Sequence, residues 1–308
     1  MVYFIMDKLL LLVLCFGAGV VLGRVPAFPT DAHKGINAFI FWVSLPAVSL
    51  LYIPQLSLNW AMLAPALMAW LVLLGAWAFF ALLGRLFGWD KASIGCLVLC
   101  AGLSNTSFIG FPYLSYLYAD PAALRYAVLC DQPGSFLAVS SLGVALAVSY
   151  SSGGSVSWRL IGRRLLSFPP FVAFLLALLL IPLGGTPPFV QATLKPLADT
   201  LSPLALFSVG LQIRWQLAAG LGNRLLWGLA YKLLLAPLLI FGVYAKGLAI
   251  GGLVLEVSVL EAAMAPMITA VLLAAEYRLQ PSLAHMMAGV GIPLSLLTVY
   301  GWWWWMGG

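Results

Sequence analysis

Ser104-Asn105-Thr106-Ser107-Phe108-Ile109-Gly110-Phe111-Pro112 interrupts an apolar segment, Ala92 to Tyr118, that is long enough to cross a bilayer. An amide, three hydroxyls, a glycine and a proline stand in the middle of that segment. In hydrocarbon every backbone polar group must be satisfied internally, so unwound backbone survives only inside protein or along a water-filled cavity. A helix broken at midplane depth points to a transporter binding site. The plainer alternative is a proline-kinked packing helix, since Gly and Pro are common in membrane helices.

Composition narrows the choice. The 308 residues are 63% hydrophobic and 8% charged, far too apolar for a soluble domain of this size. The net charge of +6 reads as a membrane-topology signal, because no basic cluster with interleaved aromatics occurs in a polar region. Nucleic acid is therefore not an expected partner; the lipid bilayer is. Cys15, Cys96, Cys100 and Cys130 fall inside apolar runs and show neither a disulfide framework nor a zinc spacing. His33 and His285 are isolated, so no metal and no cofactor is expected. No Walker-type loop occurs, which excludes ATP-driven transport by this chain alone as far as motifs go.

Hydropathy predicts ten spans, with the first five at 4–22, 36–53, 60–83, 92–118 and 124–150. After the polar linker at 151–165 come 168–183, 190–213, 225–244, 249–275 and 283–304. The first span lacks an Ala-x-Ala cleavage pattern and is kept as a span. The Trp302 to Trp305 run belongs at a headgroup interface. Loops after odd-numbered spans hold ten Lys and Arg residues, against four on the other side, Lys8, Arg125, Lys195 and Lys246. The positive-inside rule then places odd-span loops in the cytoplasm and both termini outside it.

Five spans per half require that homologous halves be inverted. Pro121 and Pro281 are 160 residues apart, as are Pro133 and Pro293, and Pro133-Gly-Ser135-Phe-Leu137 parallels Pro293-Leu-Ser295-Leu-Leu297. Pro46 and Pro203 are separated by 157. The fold class expected is thus an all-α integral membrane protein. Its ten transmembrane helices form two inverted five-helix repeats, residues 1–150 and 166–308, with broken, crossing helices 4 and 9. Span 9 is interrupted at Glu261-Ala-Ala-Met-Ala-Pro266-Met-Ile-Thr269. At ~1.5 Å per residue, Asn105 and Glu261 each lie roughly 20 Å deep in a core ~30 Å thick. Pro112 and Pro266 do not register under the repeat, so the two breaks need not share a geometry.

These residues carry a resemblance. Asn105-Thr106-Ser107-Phe108-Ile109-Gly110-Phe111-Pro112 resembles the Asn-Thr-x-x-x-Gly-x-Pro crossover motif of the auxin efflux carrier family. Asp131-Gln132 with Gly134-Ser135-Phe136, the span 9 stretch with Glu276-Tyr277, and Gly291-Ile292-Pro293-Leu294-Ser295 are similar to its bacterial members. The resemblance covers essentially the whole chain. It departs where plant members carry a long hydrophilic loop, since only the short linker stands here. Regulation by that loop and auxin as substrate are not carried over. The resemblance implies a mobile bundle of spans 3–5 and 8–10, and a scaffold of spans 1, 2, 6 and 7 that also makes a homodimer contact. It implies small organic anions as substrates, Asn105 as the substrate contact and Pro112 as the crossover proline.

The residues read alongside it give a candidate substrate-binding set of Asn105, Thr106, Gly110, Pro112, Pro266 and Thr269. Half-helices starting near Pro112 and Pro266 offer free N–H groups and positive dipole ends to a carboxylate. No Arg or Lys is placed at this depth in spans 4 or 9. Glu261 is the candidate carrier of a coupling proton or Na⁺, the alternatives being a hydrogen-bonded acid or a pair with Lys232. Asp131, about 10 Å deep by count, is a candidate gate or second proton site, the alternative being a cap on backbone freed by Pro133. Lys232 is expected to snorkel or pair. Three function classes follow: a carrier of small organic anions in the cell membrane, a sodium-coupled symporter of the bile-acid type, and an intramembrane enzyme. The last lacks the paired catalytic groups it needs, so no enzyme is expected.

Overall fold

The computed structural model describes residues 2–56, 60–151, 157–213 and 218–307. Arg214 and the Ser-Gly part of the linker lie outside the described residues. The described chain is helical throughout, and its one extended pairing is an isolated antiparallel bridge between Ser104 and Pro266. The helices are α1 (Val2–Leu22), α2 (Ala32–Gln55), α3 (Leu63–Phe87), α4 (Lys91–Gly102), α5 (Phe111–Leu117), α6 (Ala122–Tyr150) and α7 (Trp158–Leu166). They continue as α8 (Pro169–Leu183), α9 (Pro188–Asp199), α10 (Leu201–Gln212), α11 (Gly222–Gly247), α12 (Gly252–Ala263), α13 (Ile268–Glu276) and α14 (Pro281–Trp305). Five of them, α2, α3, α6, α11 and α14, are long and apolar enough to cross a membrane unbroken.

Prolines shape several of these rods. π-Helical turns at Ile40–Ser44, Thr106–Gly110 and Tyr231–Leu235 each end two residues before a proline, Pro46, Pro112 and Pro237. A fourth, Cys130–Phe136, contains Pro133. Proline has no N–H to give and its ring clashes with the carbonyl four residues back, and a widened turn relieves both. The freed carbonyl of Leu233, four before Pro237, accepts instead from the Trp302 indole N–H at 2.9 Å. Trp302 is therefore a structural donor within the fold, whereas Trp304 and Trp305 are exposed. The segment expected as a continuous seventh span is divided between α9 and α10 at Thr200, because Pro203 cannot continue the ladder back to Asp199.

The chain forms two compact units, each drawing on both halves of the sequence. The first comprises Met1–Asn59, Ser107–Val128 and Arg163–Ile213. Within it α1 and α10 cross closely. A Cβ on Gly19 would run into the Phe207 carbonyl, and one on Gly210 into that of Phe16. Ser208 Oγ donates to Asn37 Oδ1 at 2.5 Å, and Thr186 Oγ1 to the Leu50 carbonyl at 3.0 Å.

The second unit comprises Trp60–Thr106, Leu129–Gly162 and Arg214–Gly308. Phe80, Tyr231 and Tyr244 fill its interior. The Tyr231 hydroxyl donates to the Val72 carbonyl at 2.8 Å, and that of Tyr244 donates to the Ala64 carbonyl. The Trp70 indole donates to the Pro133 carbonyl at 3.1 Å. Each aromatic thus buries its ring and pairs its polar tip with backbone on α3 or α6, as buried Tyr and Trp require. At the start of α4, Asp90 caps the helix: Ser93 donates its N–H to Oδ1 and its hydroxyl to Oδ2, both at 2.8 Å.

Candidate functional site

The second unit is built around the Ser104–Pro266 bridge. α4 stops at Gly102, α12 stops at Ala263, and the two unwound segments run antiparallel past each other. Asn105 N–H donates to the Ala265 carbonyl at 2.9 Å, and Met267 N–H to the Leu103 carbonyl at 3.1 Å. Ser104 and Pro266 face each other between those two bonds, where the ladder asks for no N–H, so a proline costs nothing there. The pairing cannot lengthen on the Leu103 side, because the Leu103 N–H is already committed to Leu99 in α4.

The crossing expected from sequence is therefore present, but one break is displaced from its expected place. The helix after the first break resumes at Thr106, not near Pro112. Pro112 sits in the first turn of α5, after a π turn that absorbs its missing N–H. The partner of Pro266 across the bridge is Ser104, not Pro112. Gly110 and Pro112 belong to the first unit. There Pro112, with Tyr52, Ser115, Lys195 and Asp199, lines a cavity of about 350 Å³.

Several polar side chains converge on the crossing, all effectively buried. Thr106 Oγ1 donates to Asp131 Oδ1 at 2.5 Å, and Gln132 Nε2 donates to Asp131 Oδ2 at 2.6 Å. Asp131 was expected at a shallow depth, yet the π turn around Pro133 brings it onto the broken segment of Thr106. Lys232 Nζ donates to Ser104 Oγ at 2.5 Å and to the Ala262 carbonyl at 3.1 Å. It is fully buried and does not snorkel, since its head is already held by two oxygens of the crossing. An ammonium at this depth costs about 2.5–3.5 kcal/mol on insertion scales. The unpaired carbonyls at the α12 C-terminus, a negative dipole end, offset part of that.

Glu261 lies on the last turn of α12, fully buried, and neither carboxylate oxygen has a hydrogen-bond partner among the described residues. Glu261 lies near enough to both Asp131 and Lys232 to feel their charge, though Glu261 and Lys232 form no direct ion pair among the described residues. Gln132 Oε1 and Ser135 Oγ are also buried without a partner there. Asn105 is buried at the bridge, and Pro266 is buried against α14, where a Cβ on Gly291 would sit 2.8 Å from the proline Cδ. Thr269, by contrast, is exposed on the first turn of α13.

Sequence reasoning thus found Asn105, Thr106, Asp131, Glu261 and Pro266, which the fold gathers. It undervalued Ser104, Gln132 and Lys232. The available signal for Lys232 was a lysine two turns into an otherwise apolar span, five residues before a proline. No Arg or Lys lies at the break in spans 4 and 9 themselves, but α11 delivers Lys232 to the site.

Comparison with known proteins agrees with this geometry. The family described as "Membrane transport protein" matches residues 3–303. A protein of Methanothermobacter thermautotrophicus named "Uncharacterized transporter" is 32% identical over 218 residues, covering 70% of this chain and 69% of its own. A second protein named as an uncharacterized transporter, from Methanocaldococcus jannaschii, is 26% identical over 231 residues, 72% of each chain. Matched over nearly its whole length, and carrying the crossing of two broken helices around Asn105, this chain belongs to the membrane transport protein family of the auxin efflux carriers.

Proposed function

We propose that the protein is a secondary active or potential-driven carrier of small organic anions such as carboxylates, in the cell membrane with both termini outside the cytoplasm. The observation that carries this reading is the crossing itself. Two helices are broken against each other in the interior, with Asn105, Thr106, Asp131, Lys232 and Glu261 around the break. Interrupted helices of this kind hold substrates and coupling ions near the bilayer midplane. Lys232 supplies positive charge, Asn105 a neutral donor, and the N–H groups opening α13 a positive dipole end.

Alternating access follows by movement of spans 3–5 and 8–10 against a scaffold of spans 1, 2, 6 and 7. The ten-span inverted repeat and a homodimer through the scaffold belong to the same proposal. Glu261 is the coupling group, since a buried carboxyl without hydrogen bonds is neutral at lowest cost and gains most from an exchangeable ion. A sodium-coupled symporter of the bile-acid type is the second reading, favoured by the same bare carboxylate.

Reconstitution in liposomes, with a survey of labelled carboxylates under imposed proton, sodium and voltage gradients, tests the proposal. Saturable uptake of at least one carboxylate is expected. No uptake under any gradient sinks the carrier reading, and uptake strictly dependent on sodium favours the symporter.

A further inference from the structure

Lys232 reaches the crossing from a third helix and touches both breaks. Its ammonium rests on the Ser104 hydroxyl, from the first broken segment, and on the Ala262 carbonyl, from the last turn of α12. Ser104 Oγ also approaches the Ala262 carbonyl at 3.4 Å, so the two oxygens form one small concave seat. Glu261, next to Ala262 in the chain, is fully buried without a hydrogen bond of its own and supplies negative charge near the seat without an ion pair to Lys232. Hydroxyl, carbonyl and carboxylate oxygens are the hard donors that small metal cations take. Unwound carbonyls and half-helix C-terminal ends are where transporters bind sodium.

We propose that the Lys232 ammonium is a tethered counter-cation. It fills, between the two broken helices, an oxygen-lined seat that otherwise takes a small monovalent metal ion, so that the carrier works without sodium. The idea rests on the carrier reading for its functional meaning, but the seat itself is a binding property and can be read without any substrate. Lys232 stands in the π turn Tyr231–Leu235 of α11, and from there its ammonium reaches the crossing. The oxygens stay where they are when the lysine is shortened, because Ser104 is fixed by the bridge and Ala262 by α12.

The test compares wild type with Lys232→Ala, purified in detergent, by thermal unfolding in sodium chloride and in choline chloride at equal ionic strength. Wild type is expected to unfold at the same temperature in both salts. Lys232→Ala is expected to unfold several degrees higher in sodium than in choline, with a saturating dependence on sodium concentration. A sodium-specific shift in wild type, or a folded Lys232→Ala variant indifferent to sodium, overturns the proposal.

If Lys232→Ala folds in neither salt, Lys232→Gln decides. It keeps N–H donors for Ser104 and Ala262 but carries no charge. It is expected to fold, to ignore sodium, and to carry the labelled carboxylate that wild type transports at least about tenfold more slowly in either salt. Transport at the wild-type rate shows that the charge is dispensable, and overturns the proposal. Wild type without any flux, but with the predicted salt behaviour of Lys232→Ala, refutes the carrier reading and leaves the seat standing.

Discussion

At the scale of single residues, the site is a balance of charge in a low-dielectric interior. Asn105→Ala removes a neutral donor beside the bridge. A hydrogen bond to a charged partner is worth about 1.5–3 kcal/mol, so carboxylate flux is expected to fall about tenfold to a hundredfold with the protein still folded in the membrane. Flux at the wild-type level removes Asn105 from the substrate contact. Glu261→Gln keeps the side chain's shape and discards its exchangeable charge. Uptake by wild type is expected to respond to an imposed proton gradient while uptake by the variant does not; an equal response in both refutes the coupling role. Asn105 and Glu261 were legible because an amide and an acid in the middle of apolar spans have few innocent explanations. The partners of Asp131 and Lys232 were not legible. Counting residues from a span's start gives a depth along one helix, and says nothing about which neighbouring helix has broken open beside it.

At the scale of elements, prolines and caps decide where the rods begin, bend and stop. Pro112 was misread as a helix start because proline is a good first-turn residue. The π turn before it made that role unnecessary and let the helix resume six residues earlier, at Thr106. Gly291 on α14 gives Pro266 its room. Gly291→Val is expected to destabilise the protein by about 1–3 kcal/mol through overpacking and to reduce transport as the bridge shifts. Thermal unfolding at wild-type temperature contradicts this.

Asp90 works at the other end of α4. Burial raises its carboxyl's pKa, but the Ser93 N–H and hydroxyl and the Arg224 guanidinium together win and hold it below the ordinary carboxylate value. A group lowered in the folded state stabilises above its unfolded pKa, and that stabilisation fades as pH falls through the folded value. Asp90→Ala is therefore expected to cost about 1 kcal/mol near neutral pH, with the difference from wild type shrinking below about pH 4. A cost that is flat from pH 7 to pH 3 argues against the charged cap.

At the scale of the whole molecule, composition alone announced a membrane protein, and two broken spans announced a crossing. Cysteine introduced at Gly307 is expected to react with an impermeant thiol reagent in intact cells, and cysteine introduced at Arg159 only after the membrane is opened, because the lysines and arginines gather on one side. The opposite pattern inverts the assignment. The division into these two units could not be read from a linear sequence, since the first unit takes residues 107–128 from late in the first half.

The bridge between Ser104 and Pro266 has one more consequence. It is a rung without a ladder, held by two backbone hydrogen bonds and barred from extending on one side by α4. Such a joint resists separation but offers little resistance to twist. The two broken segments are thus joined at a single point, and the Lys232 ammonium rests across it on the Ser104 hydroxyl and the Ala262 carbonyl.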